Sequence, residues 1–172
     1  MQLKLRRGFA LLESLLAMTL LVGGVLALLW SMQRANTQQR QQLHRAQAMR
    51  LADNMAQRMR AHPSALTDAY ARTWQASVAT PQHTCHTQAC DDLAWVTEQQ
   101  QQANEELKQL PRGDMAITPL ASNANPLGGP AWVITVAWQD PEEAFRTDGA
   151  WGEPPCPAEK SCWRLLFRSH SP

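Results

Sequence analysis

The stretch GFALLESLLAMTLLVGGVLALLW, residues 8–30, decides how the rest of the chain is read. At roughly 1.5 Å per residue a helix over 9–30 is about 33 Å long, close to the ~30 Å hydrocarbon core of a bilayer. Its one ionisable side chain is Glu13. An acidic group costs on the order of 2.5–3.5 kcal/mol at the bilayer centre, and no basic residue inside the run offsets it. Ahead of it Lys4, Arg6 and Arg7 stand without an acidic neighbour. By the positive-inside rule they hold the N-terminus in the cytoplasm and send the chain beyond Trp30 across the membrane. A secretory signal peptide starts in the same way, but its apolar region is about 7–15 residues long and ends at a small-residue cleavage site. Here the run is longer and passes directly into a Gln- and Arg-rich segment.

The string Gly8-Phe9-Ala10-Leu11-Leu12-Glu13 behind a short basic leader resembles the type IV prepilin family, whose members carry a Gly, then a Phe, then a Glu at the fifth mature position. The resemblance implies a prepilin peptidase that cuts between Gly8 and Phe9 on the cytoplasmic side and methylates the new Phe9 amine. It also implies that Glu13 faces the N-terminus of a neighbouring subunit in the filament. Glu13 lies close to the amine that cleavage creates and near the positive end of the helix dipole, and both lower the cost of burying its charge. A signal-anchor helix with an incidental Glu is the plain alternative.

Within the run Gly23 and Gly24 are a local weakness, since each Gly costs up to about 1 kcal/mol relative to Ala in a helix. They permit either local extension of the helix in a filament, as in pilins, or close helix packing in the membrane. From Ser31 no strong helix breaker occurs before Pro63. Ala48, Leu51, Ala52, Met55, Ala56 and Met59 fall at i, i+3, i+4, i+7, i+8 and i+11, one apolar stripe against which a head packs. Gln33, Arg34, Gln38, Gln39, Arg40, Gln41 and Gln42 precede it as a polar stretch, and Pro63 is expected to end the helix after His62. Residues 53–63 add a likeness to PilV-type minor pilins, from whose usual string Gln57 and His62 depart. Arg58 and Arg60 either pair with carboxylates of the head or, as the default for such side chains, face water.

Beyond Pro63 the pattern is that of a head. Residues 64–89 read as loop with a short helix over 64–74. Asp91 and Asp92 cap a second helix running to about Leu110, with Leu93, Val96, Gln100, Ala103, Leu107 and Leu110 on one face. Strands follow at 115–120, 131–138 and 162–168; Trp132, Ile134, Val136 and Trp138 share one face, as do Trp163, Leu165 and Phe167. Residues 122–130 read as a turn and 139–161 as a surface loop in which Trp151 is a candidate contact residue. Trp30 fits a membrane-interface anchor. The expected class is α+β: a long N-terminal helical stalk, as in the type IV pilin fold, and a C-terminal head of one helix and a small antiparallel sheet. The expected parts are a leader at 1–8, a membrane or filament-core helix at 9–30, the amphipathic part of the stalk at 31–62 and the head at 63–172.

Four cysteines, Cys85, Cys90, Cys156 and Cys162, allow three pairings, of which the local one, Cys85 with Cys90 and Cys156 with Cys162, is preferred. An exported head favours disulfides; the rival is a zinc site using these thiols with His83 or His86. Sixteen Lys and Arg against 15 Asp and Glu leave a net charge of +1, which offers no field for nucleic acid. No catalytic, metal or cofactor motif stands out, so a structural role is expected rather than an enzyme.

As the resemblance implies, the chain is a minor pilin of the bacterial inner membrane. It would be single-pass with a periplasmic head, prime pilus assembly together with other minor pilins and the major pilin, and sit near the tip. A tip adhesin and inner-membrane assembly proteins are further expected partners. Two alternatives share parts of the pattern: a minor pseudopilin of type II secretion, and a signal-anchored periplasmic enzyme with a thiol or metal site.

Overall fold

The structure is a computed structural model that describes residues 6–62, 68–81, 84, 85, 87, 89–120, 131–140 and 154–168. It is an α+β fold with one long N-terminal helix, α1 (Arg6–Ala61), a second helix, α2 (Asp92–Leu107), and three strands, β1 (Asp114–Leu120), β2 (Ala131–Gln139) and β3 (Lys160–Arg168). The chain divides into two compact units, residues 1–42 and 43–172, which are described in turn.

In the first unit α1 is continuous through the apolar run. Leu11, Met18, Leu20, Leu21 and Leu28 are all more than 60% exposed, and none of residues 11–30 is buried within the fold. A Cβ placed on Gly23 or Gly24 meets nothing within 4 Å. The helix is long and apolar enough to cross a membrane.

The second unit is built on the stripe at the C-terminal end of α1. Ala48, Leu51, Ala52, Met55, Ala56 and Met59 are buried to 7% exposure or less and join one core with Val96, Ala103 and Leu107 of α2 and with the sheet. Met55 and Met59, the two large flexible side chains of the stripe, are buried in this core. The helix ends at Ala61, one residue before the pre-proline position, where the αR conformation is disfavoured. The ring of His62 then lies on Trp95 of α2, with centroids 4.3 Å apart.

The sheet is an antiparallel meander in the order β1-β2-β3. Ile117 opposes Ile134 and Ile134 opposes Leu165, while Val136 lies between Met115 and Trp163. The alternation expected from the sequence is therefore realised: Trp132, Ile134, Val136, Trp138 and Phe167 lie in the core, with Trp163 and Leu165 packed against it. The opposite face of β2 is buried as well, with Ala131 and Val133 in a smaller cluster beside Leu120 and Leu166.

Asp91 caps α2, its Oδ1 accepting the Ala94 N–H at 2.7 Å. The helix ends at Leu107, short of the expected Leu110, because residues 108–113 tighten into turns in which the Leu110 N–H donates to the Leu107 carbonyl and the Gly113 N–H to the Leu110 carbonyl. Gly113 admits no side chain, since a Cβ there would sit 2.3 Å from the Leu107 carbonyl oxygen. Leu93 corrects the expected apolar face: it is 66% exposed, and the buried face of α2 turns instead through Val96, Glu98, Gln99, Ala103 and Leu107.

The short helix expected over 64–74 is a second correction. Residues 63–67 lie outside the described residues; a 3-10 turn occupies Asp68–Tyr70, and Arg72 is extended. Arg72 and Ile117 exchange both backbone hydrogen bonds, at 2.9 and 2.8 Å. The segment finds its backbone partners on the edge of β1, with the Tyr70 ring buried in the core, so a helix here would forfeit both. Residues 122–130 and Trp151, expected in a turn and a loop, lie outside the described residues, whereas Gln139, Lys160 and Ser161 belong to strands.

Candidate functional site

The N-terminal segment holds three polar side chains between 9 and 30: Glu13, Ser14 and Thr19. Ser14 Oγ donates to the Leu11 carbonyl and Thr19 Oγ1 to the Leu16 carbonyl, both at 2.9 Å. Hydroxyls folded back on their own helix are satisfied without water and are cheap to place in hydrocarbon. Glu13 is the one charged group of the segment. Glu13 is prominent in the sequence, whereas the self-bonding of Ser14 and Thr19 becomes visible only in the helix.

Gly8 and Phe9 lie within α1, preceded there by Arg6 and Arg7. Lys4 lies outside the described residues. At the other end of the apolar run, Arg34 stands over the Trp30 ring at 5.8 Å, joining an aromatic to a cation where an interface is expected.

In the head all four cysteines are used. Cys85 is bonded to Cys90 and Cys156 to Cys162, with Cα–Cα distances of 5.4 and 6.1 Å. Among the described residues no thiol is left to ligate zinc, and no group of three His, Cys, Asp or Glu side chains stands close enough to hold a metal. His83 and His86, the other ligands of the zinc alternative, lie outside the described residues. Glu98, nearly buried, accepts the Cys85 N–H on Oε2 at 2.9 Å and ties the first disulfide loop to α2.

Arg58 and Arg60 do not simply face water. Arg58 Nη2 pairs with Glu106 of α2 and its Nη1 donates to the Gln99 carbonyl at 3.4 Å. Arg60 lies 4.9 Å over the Phe167 ring, and Arg45 lies 5.5 Å over the Trp163 ring. Sequence reasoning missed a second charged cluster. Asp114 Oδ1 and Oδ2 lie 4.0 Å from Arg72 and Lys160 respectively, and the same oxygens accept the Met115 and Gln75 N–H groups at 2.8 and 3.0 Å. Burial lowers the pKa of Arg72, and Asp114 raises it again in part. These residues are far apart in the chain: the bridge from Arg72 to Ile117 brings Arg72 to Asp114, and the β1–β2–β3 pairing brings Lys160.

An open groove of about 440 Å³ runs beside exposed Leu93, lined by Ala79, Thr80, Pro81, Ala94 and Thr97. Its one charged group, Asp91, is already engaged as the cap of α2. The head thus presents structural bridges and ion pairs, and the chemistry that stands apart is the lone carboxylate of the N-terminal helix. No protein-family model, no curated protein and no solved structure matches this chain.

Proposed function

We propose that the protein is a prepilin that matures into a minor subunit of a type IV pilus. Its apolar helix anchors it in the inner membrane after the leader is removed at Gly8–Phe9, and later packs among the helices of other subunits. The observation that carries this reading is Glu13: the one carboxylate of the apolar run, in the fifth position after Gly8, where the hydroxyls of Ser14 and Thr19 are bonded to carbonyls of their own helix. In a low-dielectric setting such a group requires a cation, and the Phe9 amine of this chain or of a neighbour provides one.

The orientation with the head outside is supported by two unrelated features. The leader charges Lys4, Arg6 and Arg7 favour a cytoplasmic N-terminus, and two disulfides favour a head in an oxidising compartment. With other minor pilins the subunit primes assembly and remains near the tip, where the head supports display of an adhesin.

Glu13→Ala tests this reading. The variant is expected to be made, inserted and folded, with both disulfides formed, yet to be depleted at least tenfold from sheared filaments. Normal recovery in filaments counts against the proposal. A variant that leaves piliation intact and blocks secretion of a type II substrate assigns the chain to the secretion machinery instead.

A further inference from the structure

Charge is distributed unevenly along the first unit. Its one acid is Glu13, and from Ser14 to Ala52 the chain carries none. Beyond the apolar run the unit keeps two cations, Arg34 and Arg40, among five glutamines at 33, 38, 39, 41 and 42. Every residue from 31 to 40 is exposed. At roughly 1.5 Å per residue Arg34 stands about 30 Å along the helix from Glu13, beyond the reach of an ion pair. The neighbouring polar groups do not offset the two charges: the glutamines are neutral, and Thr37 Oγ1 is bonded to the Arg34 carbonyl at 2.8 Å.

The Arg34 guanidinium is held level with an aromatic ring. Its Cζ lies 5.8 Å from the centroid of Trp30, one turn earlier in the helix, as side chains that lean toward the N-terminus of a helix allow. Trp30 closes the apolar run and is 66% exposed. The positive charge therefore sits beside the end of the apolar surface. A hydrocarbon core of about 30 Å within a bilayer of about 40–45 Å leaves roughly 5–7 Å of headgroups on each side, the level at which indole and guanidinium lie together once residues 9–30 span the core. Arg40, ten residues past Trp30, stands about 15 Å farther along the axis. That is about one Debye length above the headgroups, close enough for its field to be felt there.

We propose that Trp30, Arg34 and Arg40 form a cationic collar that gathers anionic phospholipids around α1 on the side of the membrane that carries the head. Arg34 meets a lipid phosphate directly: a guanidinium presents two parallel N–H donors that match two phosphate oxygens. The indole beside it packs at the boundary between acyl chains and headgroups. Arg40 adds attraction at longer range, and each cation near a negatively charged surface is worth roughly a fivefold gain in association. A second copy of this chain is a poor source of the negative charge, because its matching segment holds the same two arginines and no acid. The collar rests on the reading of residues 9–30 as a membrane anchor, and it is independent of any role in a filament.

The test places the full chain in phosphatidylcholine vesicles that contain a trace of spin-labelled phosphatidylglycerol or, in parallel, spin-labelled phosphatidylcholine. Electron spin resonance reads the fraction of each label immobilised against the protein. The anionic label is expected to be preferred at least threefold at low salt. Arg34→Gln is expected to lower that preference at least twofold, and Arg34→Gln combined with Arg40→Gln to lower it further. Both positions are exposed on the helix, and equal immobilisation of the phosphatidylcholine label in all three chains checks that insertion is unchanged. Lys4, Arg6 and Arg7 attract the same lipid from the other face and are common to the three chains, so the loss on substitution measures the collar alone. A preference that is absent, or that the double variant keeps in full, overturns the proposal and leaves the membrane anchor standing. A chain that immobilises neither label is outside the bilayer and overturns both.

Discussion

Burial of the whole Tyr70 side chain pushes its phenol up to about 12, with the Arg58 charge opposing the shift and Asp92 adding to it. Below pH 10 the phenol is neutral whether the chain is folded or not, and its burial carries no titration cost. Between pH 10 and about 12 the unfolded chain ionises first, so stability falls by ~2 kcal/mol through this group as pH rises. Chemical unfolding followed by tryptophan fluorescence should show this loss, and Tyr70→Phe should remove it while retaining stability near neutrality. Asp114 makes a second case. It serves Arg72, Lys160 and two backbone N–H groups at once, so Asp114→Ala strands a buried guanidinium and is expected to cost about 3 kcal/mol. Arg72→Met leaves Asp114 with Lys160 and both backbone donors, and is expected to cost less than 1 kcal/mol. Equal losses in the two variants would show that the asymmetry is absent. Neither residue is prominent in the sequence. Their partners lie about 40 positions away, and no local pattern encodes a contact made through a sheet edge.

At the scale of elements, the sequence is most legible where one period governs one face. Ala48 to Met59 repeat at helical spacing, and every member of the stripe is buried; the three strands alternate, and their core faces follow that alternation. Met55→Ala is accordingly expected to destabilise the head by about 2–5 kcal/mol, measured by denaturant unfolding. An unchanged midpoint would mean that the stripe is not part of the core. Periodicity fails where a neighbour is missing. Leu93 continues the apolar spacing of α2, but it lies in the first turn beyond the edge of the core, next to the capping residues, and is left in solvent. It fails again at 69–74, where a mixed segment without a period hides an extended residue held by β1. Arg58 and Arg60 illustrate a third limit: exposed arginines on a helix are solvated by default, and only the approach of α2 and β3 gives these two a carboxylate and a ring.

At the scale of the whole molecule, two features divide the labour. The second unit has its own core, two disulfides and ion pairs that hold its loops, whereas residues 11–30 of α1 are exposed throughout. Such a surface is stable only when something apolar covers it. The α+β class, the long first helix and the small sheet were readable from the sequence; what covers the helix was legible only as a resemblance resting on Gly8, Phe9 and Glu13. The direct measurement is the N-terminus of the mature protein, by mass spectrometry, from cells with and without prepilin peptidase. The account predicts a chain beginning at N-methylated Phe9 when the peptidase is present and retention of residues 1–8 when it is absent. An intact Met1–Gly8 leader in peptidase-competent cells would contradict it.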